Sequence, residues 1–160
     1  MDLDARRSEA YFALAEVNNL LGILMEEQLQ RDGGLSYLQF FVLAHLARAT
    51  EGRMRMTDLA DTVLHSRSGL SYQATKLEAE GLIRRAPSPT DERSITAAIT
   101  DRGRDLVDKV IPGHIALVRR GLFDALDEEQ TLAFADSLEV IRDRLRSIVP
   151  TSAARRRGAT

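Results

Sequence analysis

The chain has no cysteine among its 160 residues, which excludes a disulfide framework, a thiolate zinc site and a thiol-based redox switch. Long apolar runs are also missing, none approaching the roughly 20 residues that a bilayer-spanning helix needs. The opening residues Met1-Asp2-Leu3-Asp4-Ala5-Arg6-Arg7 lack the basic-then-apolar order of a secretory signal. The expected address is therefore the cytoplasm, with no membrane partner. No glycine-rich phosphate loop, nucleophile elbow, Cys-His pair or Ser-His-Asp arrangement is legible. The acidic residues fall mostly at helix caps and outer helical faces, where their electrostatic role is sufficient. Catalysis is not expected and no cofactor is called for. His45, His65 and His114 fall on different expected elements, too few and too scattered for a metal site.

What the chain does contain fits one globular domain with helical extensions, at 44% hydrophobic and 29% charged residues. A net charge of −2 does not advertise a polyanionic partner, but its distribution is uneven. From Arg53 to Arg104 nine Lys or Arg stand against seven acids, leaving +2; the rest carries 13 against 17, or −4. A second basic cluster, Arg155-Arg156-Arg157, follows Pro150 among small polar residues. Residues 151–160 are accordingly expected to form a disordered basic tail.

Apolar residues at Tyr11, Leu14, Val17, Leu21, Leu24 and Met25 recur at helical steps, predicting a helix over 8–31 closed by Asp32-Gly33-Gly34. Ser36-x-x-Gln39 has the form of a capping box opening a second helix, which dissolves at Thr50-Glu51-Gly52. A short helix near Thr57 presents Leu59, Ala60 and Val63. A fourth, from Ser66 to Glu80, ends where Gly81 suits a left-handed cap and Leu82 its hydrophobic partner. Strands are expected at 82–86 and 94–99, joined by a turn over Pro87-Ser88-Pro89-Thr90-Asp91-Glu92 with Arg93 near its tip. Thr100 caps a further helix to about residue 124, kinked rather than ended by Pro112. Asp127-x-x-Gln130 opens the last, 128–148.

The fold class is thus mainly α with a small β-hairpin: a winged helix-turn-helix over 36–100, flanked by helical regions at 1–35 and 101–150. On the fourth helix, Leu70, Ala74 and Leu77 share one face, while Ser68, Tyr72, Thr75 and Lys76 share the other with Ser71 at its flank. In such a motif a short helix braces the next, so that its outer face enters the major groove of double-stranded DNA. Small hydroxyls permit close approach, and Tyr72 and Lys76 reach base edges or phosphates. Ser66, Arg67, Ser68, Ser71, Tyr72, Thr75, Lys76, Arg84, Arg85 and Arg93 are the expected DNA contacts, Arg84 and Arg85 mainly through phosphates and Arg93 through the minor groove. Arg53 and Arg55 fit phosphate contacts or a solvated loop equally well.

The runs Met56-Thr57-Asp58-Leu59-Ala60, Ser66-x-Ser68-x-Leu70-Ser71 and Leu77-Glu78-x-x-Gly81-Leu82-Ile83-x-Arg85 together resemble the MarR family, the multiple-antibiotic-resistance-type bacterial regulators. Asp91-Glu92-Arg93 and Ile99-Thr100-x-x-Gly103 continue the resemblance. It implies a homodimer held by the N- and C-terminal helices, a pseudo-palindromic operator, and repression relieved by a small, often aromatic or anionic, ligand. By position, Ser68 and Ser71 match recognition-helix residues, Arg93 the wing arginine, and Asp91 the acid that orients it. Tyr72 stands where the family often has a basic residue, so no base preference carries over.

Helices too long for a small monomeric core fit the implied dimer, with Tyr11, Phe12, Leu14, Val118, Phe123, Leu138, Ile141 and Leu145 as its interface. His45 is expected as a partly buried core residue, or else as part of an effector pocket at the junction of the two regions. Two alternatives remain open: a winged helix used for protein contacts without DNA, and a regulator that responds to no ligand.

Overall fold

The computed structural model describes residues 4–88 and 91–149, and for residues 91–93 the backbone alone. The tail 151–160, with Arg155-Arg156-Arg157, lies outside the described residues. Six α-helices and a three-stranded sheet alternate as α1 (Ala5–Gly33), α2 (Tyr37–Arg48), β1 (Arg53–Arg55), α3 (Met56–Thr62), α4 (Arg67–Ala79), β2 (Ile83–Ser88), β3 (Asp91–Ile99), α5 (Asp101–Gly121) and α6 (Glu128–Ile148). Short 3-10 turns at Thr50–Gly52 and Phe123–Ala125 punctuate the chain.

Local chemistry sets most boundaries. Asp4 caps α1, its carboxylate accepting from the Arg7 amide at 2.8 Å, so the helix starts three residues earlier than its apolar stripe suggests. Gly34 ends it in the left-handed conformation (φ 65°), which costs glycine nothing. Both capping boxes form, Ser36 with Gln39 and Asp127 with Gln130. α5 passes through Pro112 without a break and stops at Gly121, short of the expected residue 124.

The sheet departs from the expected simple hairpin. Its order is β1-β3-β2, with Met54 opposite Ala97 on one side and Arg85 opposite Ala97 on the other. Arg53 and Arg55 therefore belong to a strand, one whose three residues are too few to show a period and whose partner lies some forty positions on. Both strands also run further than expected: β2 continues through Pro87 to Ser88, and β3 begins at Asp91. Pro87 is tolerated because β2 is an edge strand and the register shifts just after it.

One core unites α2, α3, α4, the sheet and the start of α5. Leu35, Val42, Leu43, Leu46, Leu59, Leu70, Leu77 and Ile83 are all buried, each contributing about 1.5–3 kcal/mol of transfer free energy. α1 joins it only at its C-terminal end, where Gln28 and Leu29 are buried. Residues 9–20 of α1 are exposed throughout, and α6 has no buried residue. No described helix is long and apolar enough to cross a membrane.

Candidate nucleic-acid interface

The reading helix α4 is fixed from both ends. Ser66 caps it, its hydroxyl accepting from the Gly69 amide at 3.1 Å and lying 3.5 Å from the Ser68 hydroxyl. At the other end the Gly81 amide donates to Glu78 and the Leu82 amide to Leu77, both at 2.9 Å. With Gly81 at φ 70°, this is the paired closure that satisfies the last carbonyls of a helix. Leu70, Ala74 and Leu77 are buried beneath, as the face pattern requires.

The opposite face is open. Ser66, Arg67, Ser68, Ser71, Tyr72, Thr75 and Lys76 are all exposed. The Lys76 ammonium sits 4.7 Å from the centre of the Tyr72 ring, so the two long side chains of this face are held together by a cation–π contact. Thr75 donates back to the Ser71 carbonyl at 3.0 Å.

The two arginines of β2 part company. Strand alternation turns Arg84 outward, where it is exposed, and turns Arg85 toward α4. Arg85 donates from Nε and Nη2 to one Glu78 oxygen at 2.9 and 2.7 Å, and its amide donates to the other at 2.8 Å. A further bond from Nη2 reaches the Thr75 hydroxyl at 3.1 Å. The adjacent guanidinium holds the Glu78 carboxyl below its usual range. Asp91 and Arg93 begin β3, but their side chains lie outside the described residues.

α5 docks directly on this assembly. Thr100 donates to the Gly81 and Leu82 carbonyls at 2.7 and 3.1 Å while accepting from the Gly103 amide at 3.1 Å. Gly103 has no room for a side chain, because a Cβ would collide with the Leu82 carbonyl oxygen. Arg104 reaches back to the Ala47 carbonyl at the end of α2 (3.3 Å) and covers Gly52. The helix that leads out of the reading unit is thus bonded to the turn that ends its reading helix.

Two clefts open beside the α3–α4 turn. One, of about 560 Å³, is walled by Tyr37, Phe41 and His45 of α2, by Leu64 and His65 of the α3–α4 turn, and by Gln73 from the side of α4. The Gln73 carbonyl oxygen is buried without a hydrogen-bond partner. Burial first, then Arg48 and Arg146, lowers the pKa of His45, which is half-buried as expected. The second cleft, about 590 Å³, shares Leu64 and His65 and is walled otherwise by Leu14 and by Leu138, Ile141, Arg142 and Arg146 of α6. His114 packs against Phe40 with the ring centres 4.8 Å apart and the planes tilted by 49°; its Nδ1 is buried and unpartnered, and burial lowers its pKa. Among the described residues no cluster of three metal-ligating side chains forms.

Of the residues expected at a dimer interface, Tyr11, Phe12, Leu14, Phe123, Leu138, Ile141 and Leu145 are exposed and Val118 is half-buried. Phe12 is 68% exposed, a poor environment for a phenyl ring in an isolated chain. Sequence reasoning missed the bracing set of Glu78, Gly103 and Arg104, and the cleft residues Tyr37, Phe41, Leu64 and Gln73. Two of the sequence runs carried a signal: Leu77-Glu78-x-x-Gly81-Leu82-Ile83-x-Arg85, which holds Glu78 and Arg85 together, and Ile99-Thr100-x-x-Gly103.

The sequence pattern of the MarR family matches residues 33–94, which hold α2 through the start of β3. Sco3205 of Streptomyces coelicolor, a MarR family transcriptional regulator solved in complex with DNA, is 33% identical with a TM-score of 0.85. That likeness covers 90% of this chain and 94% of that one. AbsC, a MarR family regulator from the same organism, is 35% identical over 92% of this chain and 99% of its own, also at 0.85. The regulator MhqR of Bacillus subtilis is 32% identical over 97 residues, 61% of this chain. The match spans 65% of MhqR, just under two thirds of that relative's length.

Proposed function

The chain belongs to the MarR family of winged helix-turn-helix transcriptional regulators, and we propose that it works as a homodimeric repressor on a pseudo-palindromic operator, released by a small ligand. The observation that carries the DNA-binding part is the outer face of α4, which is exposed, rich in hydroxyls and flanked by the basic edge of β2. Ser66, Ser68 and Ser71 would lie against the groove floor and backbone, Tyr72 and Lys76 would reach base edges, and Arg67 and Arg84 would meet phosphates. Arg93, at the start of β3, would enter the minor groove. The DNA complex of Sco3205 supports this reading. No catalytic step is part of it, and the cytoplasm is the compartment where it would operate.

The exposed apolar residues of α1 and α6 support dimerisation, since so many large apolar side chains left in solvent suit a contact site. The α2–α4 cleft supports ligand control. Its aromatic wall, two imidazoles and the unpartnered Gln73 oxygen suit a small aromatic molecule carrying polar groups. Such a ligand changes DNA affinity only through different affinities for the bound and released arrangements.

Selection of bound sequences from a random duplex pool, repeated with small aromatic acids present, tests the whole reading. The expected result is a two-fold symmetric site whose half-sites lie about 10 base pairs apart, with enrichment lost when the effector is added. Failure to enrich any sequence would favour a winged helix used for protein contacts. Enrichment that no small molecule alters would favour a ligand-independent regulator.

A further inference from the structure

We infer that Arg85 is a positioning residue, which clasps the wing to the reading helix through Glu78 and Thr75 and is not itself a phosphate contact. The inference rests on the DNA-binding reading above and goes beyond it, because a basic residue on a wing strand is ordinarily taken to serve the nucleic acid directly.

Four hydrogen bonds hold the clasp: the Arg85 amide to Glu78 Oε1 (2.8 Å), Nε and Nη2 to Glu78 Oε2 (2.9 and 2.7 Å), and Nη2 to Thr75 Oγ1 (3.1 Å). The Arg85 side chain is only 22% exposed, whereas its neighbour Arg84 faces outward. A guanidinium paired with a carboxylate contributes little net field at a phosphate, and three of its five N–H donors are already committed. The geometry explains why the pair is worth having. β2 is an edge strand bonded only to β3, and beyond the buried Ile83 and Ala97, which pack with α4 in the common core, the clasp ties the hairpin to that helix. Glu78 lies on α4 between the buried face of Leu77 and the open face of Thr75, and Arg85 is two residues into β2. The clasp therefore locks the two DNA-facing elements in one relative orientation, a loss of freedom settled before binding.

The two roles predict opposite signs for one substitution. If Arg85 contacts phosphate, Glu78→Gln frees its charge and tightens binding. If Arg85 is a clasp, Glu78→Gln weakens binding as much as removing the arginine does. The experiment compares the full-length dimer and its E78Q, R85A, R85K and E78Q/R85A variants on the selected operator and on a random duplex, across a range of salt. E78Q and R85A are each expected to lose roughly tenfold in operator affinity, with the double variant no worse than either single one. R85K should lose as much as R85A, since an ammonium cannot reproduce the paired Nε and Nη2 bonds to Glu78 together with the bond to Thr75. The slope of log affinity against log salt should stay at the wild-type value, whereas a lost phosphate contact lowers it by about 0.9 per chain, or about 1.8 per dimer.

Tighter or unchanged binding by E78Q overturns the inference, and so does a reduced salt slope in R85A. If R85A fails to fold, E78Q carries the comparison alone. Hydrogen exchange at the Arg85 amide gives a readout free of DNA: slow in the wild type and faster in E78Q supports the clasp, and equal rates overturn it. A wild-type protein with no operator preference would instead sink the proposed function, leaving the exchange measurement to judge the clasp alone.

Discussion

Leu64 holds a left-handed backbone (φ 52°) in the turn between α3 and α4, a conformation that costs a non-glycine residue about 1–2 kcal/mol. It is 69% exposed and lines both clefts, so neither burial nor backbone preference accounts for a leucine there. Strain of this kind is tolerated where a side chain is needed for contact. Leu64→Gly is accordingly expected to change stability by less than about 1 kcal/mol, while Leu70→Ala, in the packed core, should cost about 2–5 kcal/mol. Urea denaturation of the two variants separates them, and equal losses would show that Leu64 is structural. The histidines set a pH response. Burial lowers the folded pKa of His114 below its ordinary 6.5, and His45 is lowered likewise. Below about pH 6.5 the unfolded chain binds protons that the folded chain does not, so stability falls as the pH drops toward the depressed folded values. Glu78 is lowered too, but from 4.5, so its contribution is lost only at more acidic pH. His114→Phe should flatten the fall below pH 6.5 in a series of thermal melts. An unchanged slope would mean that His114 is not the group responsible.

At the scale of elements, the junction between α4 and α5 is tightly constrained. Thr100 bonds the turn that ends α4, and Gly103 lets α5 rest on the Leu82 carbonyl. Gly103→Ala must push α5 off that turn, at an expected cost of about 1–3 kcal/mol as for other overpacked sites. Because α5 also leads to the region assigned to dimerisation, operator affinity should fall more than stability alone predicts, with the dimer retained. Melting curves, sedimentation and operator binding on the same variant check all three. Full operator affinity in a destabilised variant would show that the junction carries stability only. Gly103 stood in the sequence as part of a motif, but nothing in the motif says which carbonyl it must approach.

For the whole molecule, the distribution of apolar surface is decisive. α6 presents Leu132, Leu138, Val140, Ile141, Leu145 and Ile148 to solvent, and α1 presents Tyr11, Phe12 and Leu14. A 160-residue chain that leaves so much uncovered carries apolar surface that a second copy would bury. Sedimentation at micromolar concentration should give a dimer. The pair Leu138→Asp and Ile141→Asp should convert it to a monomer that keeps its helical content but loses specific operator binding, since both half-sites can no longer be engaged together. A stable wild-type monomer would remove the dimer from the mechanism.

Period, caps and junction residues made the helices legible before any coordinates: Ser36 and Gln39, Asp127 and Gln130, and Gly81 before Leu82 each act within a few residues of chain. The outer face of α4 was legible for the same reason, because a helix of known phase puts Tyr72 and Lys76 opposite Leu70 and Leu77. β1 was not, since Arg53–Arg55 is a strand only because Thr96–Ala98 comes to lie beside it. The same holds for Arg85, whose charge reads from sequence as a gift to a phosphate until the fold brings Glu78 within 2.7 Å. Contacts between residues near in sequence are written in local pattern. Those made by closing the chain on itself depend on where every intervening element lands, and only the tertiary structure decides them.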